Sequence, residues 1–248
     1  MLREELENHL NGLLAVPQFR DYCPNGLQVE GRREIHKVVL GVTACQALLD
    51  AALARGADAL IVHHGYFWKG ENPAITGLRR QRLATLIKND LNLFAYHLPL
   101  DAHPELGNNA GLAAAMGWEV SGRFGEKDIG WLGQLPDALA LGELADQLTT
   151  LLQRPPLLIG NPEKRIRRLA WCSGGAQGYF EQAVAAGVDL YLSGEISEPT
   201  VHLARESGVA YLACGHHATE RFGVMALARH LRVEFGLECE FVDIPNPV

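Results

Sequence analysis

An internal repeat constrains the fold of this chain more than any other feature of its sequence. Residues 46–58 match residues 177–189 at a constant offset of 131, with glutamine, glycine and aspartate at equivalent positions. The two glycines, Gly56 and Gly187, are typical of helix ends that lead into a strand. Strand–helix units can resemble one another through composition alone. The coincident positions instead favour one α/β unit that is present twice.

Short apolar runs alternate with amphipathic segments along almost the whole chain. Strands are predicted at 38–43, 59–62, 93–96, 169–172, 190–193, 209–214 and 240–244, and helices at 46–55, 79–89, 107–116, 177–186, 197–207 and 217–232. Nearly continuous apolar strands between such helices indicate parallel sheets that are covered on both faces. We therefore predict an α/β fold made of two intertwined, duplicated α/β repeats with mixed, mostly parallel sheets.

The two repeats are predicted to differ in one loop and to share the chain unequally. Residues 65–77 form a loop bounded by glycine and proline that the second copy lacks, and the pattern is interrupted again at 122–127. The C-terminal strand is expected to return to the first sheet. The predicted domains are residues 1–124 together with about 217–248, and residues 125–216.

Three of the predicted strands end in histidines, and two of these histidines precede an acid by four residues. Ligands collect at the carboxyl ends of strands in open α/β sheets. The candidates there are His63, His64, His97, Asp101, His216, His217 and Glu220. Imidazole nitrogens and carboxylate oxygens together suit Zn, Mn, Fe or Co. A site built from three of these histidines and both carboxylates would have more ligands than one tetrahedral ion needs. The pattern therefore predicts two ions that share a bridging carboxylate.

The spacing of these residues suggests separate roles. His216 and Glu220 lie on one face at the start of a helix, within reach of a common ion. Asp101 follows a proline in a rigid loop and is the best candidate for the bridge. His97 is either a ligand or a partner that orients one, and His217 either orients its neighbour or carries protons.

Three further features allow two interpretations each. Glu195 stands at the repeat position of His64 and either faces the same cleft or lies outside it. The aromatic loop at 66–69 either stacks on a base and meets a phosphate or contacts another subunit. The turn at 173–175 is either ordinary glycine turn chemistry or a set of backbone N–H groups that bind phosphate.

Composition excludes several classes of protein. A net charge of −7 argues against broad electrostatic binding of nucleic acid, and no apolar run approaches the roughly 20 residues that span a bilayer. Five scattered cysteines without a C-x-x-C pair are typical of reduced thiols, which predicts a cytoplasmic protein. The remaining histidines are expected to be ordinary core or surface residues: His9, His36, His103, His202 and His230.

Several motifs of this chain resemble those of the GTP cyclohydrolase I type 2 / Nif-three-like family. They lie at residues 25–31, 41–43, 61–65, 97–109, 193–195 and 215–220, within a resemblance that runs from about residue 20 to the C-terminus. The resemblance implies two intertwined repeats, a toroidal homohexamer and a dinuclear site in each subunit. The ligands that it implies are His63, His64, Asp101, His216 and Glu220.

The predicted function follows from the ligand chemistry and the resemblance together. We expect a dinuclear metal-dependent hydrolase, a GTP cyclohydrolase type 2 homologue, that attacks a nucleotide or related heterocycle with metal-activated water. His97 or His217 would be the general acid or base. The cofactors would be two divalent ions per subunit, and the partners a small-molecule substrate and further copies of the chain. The alternatives are a metal-stabilised, ring-forming scaffold without turnover, and a dinuclear phosphoesterase or oxidase.

Overall fold

The chain folds as two compact α/β units, each made from two separate stretches of sequence. In the computed structural model, which describes residues 1–248, unit 1 comprises Met1–Leu106 with Gly223–Ile244, and unit 2 comprises Gly107–Phe222 with Pro245–Val248. The predicted fold class, two intertwined α/β repeats, is confirmed. None of the ten α-helices is long and apolar enough to cross a membrane.

The chain contains eleven strands and ten α-helices. The strands are β1 (Gly26–Val29), β2 (Lys37–Thr43), β3 (Ala59–His64), β4 (Asn92–Ala95), β5 (Glu119–Phe124), β6 (Gly130–Ala140), β7 (Leu157–Ile159), β8 (Arg165–Cys172), β9 (Leu190–Ser193), β10 (Ala210–Ala213) and β11 (Glu238–Phe241). The helices are α1 (Arg3–Leu13), α2 (Gln46–Ala54), α3 (Gly77–Lys88), α4 (Leu98–Ala102), α5 (Asn108–Met116), α6 (Leu141–Leu152), α7 (Phe180–Ala185), α8 (Glu198–Ser207), α9 (His216–Thr219) and α10 (Arg221–Phe235).

Unit 1 is built on a five-stranded sheet in the order β1-β4-β3-β2-β11. The four strands from β4 to β11 are parallel, and only β1 at the edge is antiparallel. As predicted, the C-terminal strand returns to this sheet, where β11 pairs with β2. Side chains alternate between the faces: Ala59 and Ile61 pack in the layer of α1 and α10, and Leu60 and Val62 in the layer of α2 and α3. Burial on both faces explains why β3 is continuously apolar.

Unit 2 contains a six-stranded mixed sheet in the order β5-β6-β8-β9-β10-β7. Its central strands β8, β9 and β10 are parallel, and the other three pairings are antiparallel. Three tryptophans anchor the core, with the rings of Trp118 and Trp131 lying 5.1 Å and 5.9 Å from that of Trp171. Helices α5 and α6 bury their apolar faces in the same cluster.

The boundary that the sequence suggested at residues 122–127 lies inside unit 2. Strands β5 and β6 form an antiparallel hairpin there, with Phe124 opposite Gly130. Because α5 and Trp118 also belong to the core of unit 2, this unit begins at residue 107. The polar, glycine-containing stretch that resembled a linker is an edge strand and its turn, which carry the same composition as a linker.

Hydrogen bonds from backbone N–H groups to two aspartate side chains show the same repeat as the sequence. Asp58 and Asp189 each accept two bonds, at 2.8 and 2.9 Å, from consecutive backbone N–H groups of the preceding strand. The donors are residues 36 and 37 in unit 1 and residues 167 and 168 in unit 2. Gly56 and Gly187 have φ values of +66° and +69°, the left-handed conformation of a helix C-terminus. The offset of 131 therefore relates equivalent backbone positions.

The two histidines that precede an acid by four residues, His97 and His216, are one residue out of register with this repeat. Strand pairing relates Ala95 to Ala213, an offset of 118, whereas His97 and His216 are 119 residues apart. The additional residue is Gly215, which has a φ of +97° and occupies the N-cap of α9. His97 occupies the N-cap of α4 in unit 1. His97 is therefore the N-cap of its helix, whereas His216 is the first residue of its helix.

A partly buried histidine pair in unit 1 predicts a loss of stability in mild acid. The Nε2 atoms of His9 and His230 are 2.8 Å apart, and the ring of Phe235 packs edge-on against His9. Burial and then the neighbouring His230 lower the pKa of His9, with Glu234 opposing them. An imidazole pKa below its unfolded value of about 6.5 gives full stability above pH 6.5, and stability is lost as pH falls from there.

We expect the urea midpoint to fall between pH 7 and pH 5 by less in His9→Gln than in the unsubstituted protein, because glutamine does not titrate. His36→Gln is the control, since His36 is exposed on the same unit. Equal acid sensitivity in all three proteins would contradict the assignment.

Candidate metal centre

Three imidazoles meet at one edge of the sheet of unit 1. Because β3 and β4 are parallel neighbours, His63 and His64 at the end of β3 lie beside His97, which follows β4. One nitrogen from each ring lies within 4.8 Å of the other two. The ring centroids of His63 and His64 are 4.6 Å apart, and those of His63 and His97 are 5.1 Å apart. The fold therefore brings together three of the histidines that the sequence analysis placed at strand ends.

The Nδ1 atom of each of these rings contacts a protein oxygen. The pairs are His63 with the carbonyl of Tyr96 at 2.9 Å, His64 with the hydroxyl of Thr43 at 3.2 Å, and His97 with the carboxylate of Asp21 at 2.8 Å. Carbonyl and carboxylate oxygens only accept, so His63 and His97 carry their proton on Nδ1. That tautomer presents Nε2 as the nitrogen for a metal or a proton.

Asp101 is a buried carboxylate that lies beside His63. It is buried in the first turn of α4, and its backbone N–H donates to the carbonyl of His97 at 3.1 Å. Its Oδ2 atom lies 3.5 Å from His63 Nε2, which is long for a hydrogen bond. Two ligands bound about 2.1 Å from one tetrahedral ion are about 3.4 Å apart. This separation fits an ion shared by the imidazole and the carboxylate.

The residue that orients His97 was not predicted from the sequence. Asp21 binds the ring of His97 and accepts from the N–H of Leu98 at 2.9 Å, and Asn25 donates to Asp21 at 2.9 Å. Burial raises the pKa of Asp21, but the hydrogen bond and charge of His97, with bonds from Asn25 and Tyr22, lower it to about 2. Asp21 stands in a loop without periodic spacing, 76 residues from His97, so only the fold reveals the pair.

A second histidine–carboxylate pair lies in unit 2. His216 begins α9, and its Nε2 is 3.2 Å from Oε1 of Glu220, as their spacing of four residues predicted. Its Nδ1 contacts Glu195 at 2.6 Å, which places Glu195 beside the pair and fixes the ring. Burial lowers the pKa of His216, but Glu220 and Glu195 outweigh it and raise the pKa to about 9. The two carboxylates favour the protonated imidazole of His216, and a bound cation would replace that proton.

Glycines let the backbone approach this pair closely. Gly174 has a φ of +69°, and a Cβ atom there would lie 2.1 Å from Glu220 Oε1 and 3.2 Å from His216 Nε2. A Cβ atom on Gly194 would lie 2.7 Å from the Cα of His216. The turn at 173–175 is therefore a packing surface for the ligands as well as a turn, and any side chain at Gly174 would displace Glu220.

His217 lies on the same short helix and is screened from bulk water. Its side chain is buried, and its backbone N–H donates to the carbonyl of Val248 at 3.1 Å.

The donors of both units fit borderline divalent cations. Imidazole nitrogens and carboxylate oxygens make up the clusters, as Zn, Mn, Fe or Co prefer. Cys23 lies near Asp21 and His97, but burial and then the charge of Asp21 raise the pKa of its thiol to about 12.

The chain is similar to known proteins over its whole length. The sequence profile of the family described as Duf34/NIF3 (NGG1p interacting factor 3) matches residues 1–247. A Pseudomonas aeruginosa protein named GTP cyclohydrolase 1 type 2 homolog is 53% identical, covering 99% of this chain and 97% of its own. An Escherichia coli K12 protein of the same name is 52% identical over the full length of both.

Solved structures show the same fold. A structure described as protein ybgI, of unknown function, superposes with a TM-score of 0.97 at 51% identity, covering all of both chains. A protein of Thermus thermophilus superposes with a TM-score of 0.92 at 37% identity, also over both full chains. With a matching profile over its whole length and close relatives of equal length, this chain belongs to the Duf34/NIF3 family, the GTP cyclohydrolase 1 type 2 homologues.

Proposed function

We propose that this protein is a dinuclear metal-dependent hydrolase that acts on a nucleotide or a related heterocycle. The observation that carries the proposal is a pattern present in both units. An Nε2 atom faces a carboxylate oxygen at 3.5 Å in unit 1 and at 3.2 Å in unit 2, while Nδ1 of the same ring contacts an oxygen. Those separations suit ligands of one ion.

We propose further that five residues bind the two ions. The ligands would be His63, His64, Asp101, His216 and Glu220, with Asp101 as the bridge. The donor chemistry of each unit and the family resemblance support this set.

The surrounding residues supply the proton chemistry. When bound, the ion pair would act as a Lewis acid and lower the pKa of a water molecule towards neutrality. His97 would accept the proton of the attacking water at Nε2, because Asp21 holds Nδ1–H and stabilises the imidazolium that forms. His217 is the second proposed acid or base, since its buried ring lies next to a ligand in the sequence.

Removal of the ions separates this proposal from the scaffold alternative. We expect chelation to abolish turnover of GTP, the first nucleotide to test, and to leave the oligomer intact; added divalent ions should restore the rate. Turnover, metal content and mass in solution would be measured on the same samples. A fully metallated protein that turns over no nucleotide, and whose oligomer dissociates on chelation, would instead be a metal-stabilised scaffold.

We also propose a cytoplasmic homohexameric ring. The resemblance implies the ring. The five cysteines form no disulfide and four of them are buried, which supports a reducing compartment.

A further inference from the structure

A cavity in unit 1 opens beside one of the proposed ligands. It has a volume of about 210 Å³, and the side chains of His64, Trp68 and Arg82 line it. The remaining lining residues are Thr43, Ala44, Gly65, Tyr66, Glu71 and Arg79. The ring of Trp68 lies 5.9 Å from that of His64, and its indole N–H donates to the carbonyl of Gly65 at 3.2 Å. The inserted loop of the first repeat therefore builds a wall of this cavity.

The two arginines of the cavity differ in their partners. Arg79 pairs with Glu71, donates to the carbonyl of Asn72 and lies 5.6 Å from the ring centroid of Phe67. Arg82 is partly buried and forms no ion pair or hydrogen bond with the protein. Arg79 and Arg82 are three residues apart on α3, so they share one face of that helix. The cavity thus holds one guanidinium without a carboxylate partner, beside the paired Arg79 and Glu71.

We infer that this cavity is a substrate subsite that binds a phosphate group through Arg82, while Trp68 contacts the ring to which the phosphate is attached. This rests on the proposed function, because it assigns the substrate of the same metal centre to phosphorylated aromatic heterocycles. A guanidinium binds a phosphate through two parallel N–H donors, and an indole offers a flat face for stacking.

The size of the cavity limits what it holds. A volume of about 210 Å³ equals the liquid volume of about seven water molecules, which is enough for one phosphate and part of a ring but too small for a nucleoside triphosphate. The remainder of a larger substrate would extend from the cavity past His64. The Nδ1 atom of His64 contacts the hydroxyl of Thr43 at 3.2 Å, so His64 would bind a proposed ion through Nε2.

Binding measurements test the subsite without depending on turnover. Inorganic phosphate, guanosine and guanosine monophosphate would be titrated calorimetrically into the metal-loaded protein. Arg82→Gln should weaken the binding of phosphate and of the monophosphate by about tenfold or more, which is the cost of one charge-assisted hydrogen bond. The affinity for guanosine should not change. Trp68→Ala should weaken the binding of guanosine and of the monophosphate by a similar factor and leave the affinity for phosphate unchanged.

Arg80→Gln is the matched control, because Arg80 is exposed on the same helix and does not line the cavity. Phosphate binding that is unchanged in Arg82→Gln, or lost only in Asp101→Ala, would place the anion elsewhere and overturn the inference. If Arg82→Gln weakens phosphate in a protein that shows no turnover, the subsite stands and the hydrolase proposal fails. If the protein turns over a nucleotide and Arg82→Gln binds phosphate as tightly as the unsubstituted protein, the hydrolase proposal stands and the subsite fails.

Discussion

Replacing Asp101 by alanine should remove both metal ions from each chain, whereas replacing His64 by alanine should remove mainly one. Asp101 is proposed to bridge the ions, so its loss takes one ligand from each. His64 would contribute to a single ion. Elemental analysis after reconstitution should give about two ions per chain for the unsubstituted protein, about one for His64→Ala and almost none for Asp101→Ala.

The fold must survive for this comparison to be informative. Asp101 is buried in the first turn of α4, and its backbone hydrogen bond to His97 does not depend on its side chain. Asp101→Asn keeps the shape and one acceptor oxygen, and it should retain more metal than Asp101→Ala. Thermal unfolding of the metal-free proteins checks the fold. The same one-ion loss in Asp101→Ala and His64→Ala would show that another group is the bridge.

Most of the fold could be predicted because periodicity reports burial. Six of the predicted strands and their helices occur within a few residues of the expected limits, and the C-terminal strand joins the first sheet. Strands β1, β5, β6 and β7 were not predicted, because they are at or near a sheet edge and are partly exposed. Without a continuous apolar run, an edge strand resembles a loop.

The candidate site could be predicted only in part, because sequence shows which residues follow a strand and not what surrounds them. The histidines of β3 and the pair His216 and Glu220 were expected from strand ends and spacing. Asp21, which orients His97, has no such signal. The close approach of Gly174 to the ligands also depends on tertiary packing, which a Gly-Gly turn does not reveal. These residues position the ligands from distant parts of the chain.

Glu220→Gln should retain the fold and assembly but reduce turnover by at least about a hundredfold. Glu220 is buried against Gly174, and glutamine has the same shape, so the packing is preserved. A neutral amide oxygen binds a divalent cation more weakly than a carboxylate does. The substitution also removes the negative charge of Glu220 Oε1, which lies 3.2 Å from His216 Nε2. The measurement is kcat for GTP with saturating divalent ion, together with the metal content.

Two further variants show whether the loss comes from the ligand position. Glu206→Gln removes a carboxylate from an exposed position in the same unit and should leave turnover unchanged. Glu195→Gln should reduce turnover by about 10- to 100-fold, because Glu195 orients His216 through Nδ1 without being a proposed ligand. If Glu220→Gln turns over at the rate of Glu206→Gln with a full complement of metal, Glu220 is not required for the reaction and the proposed ligand set is wrong.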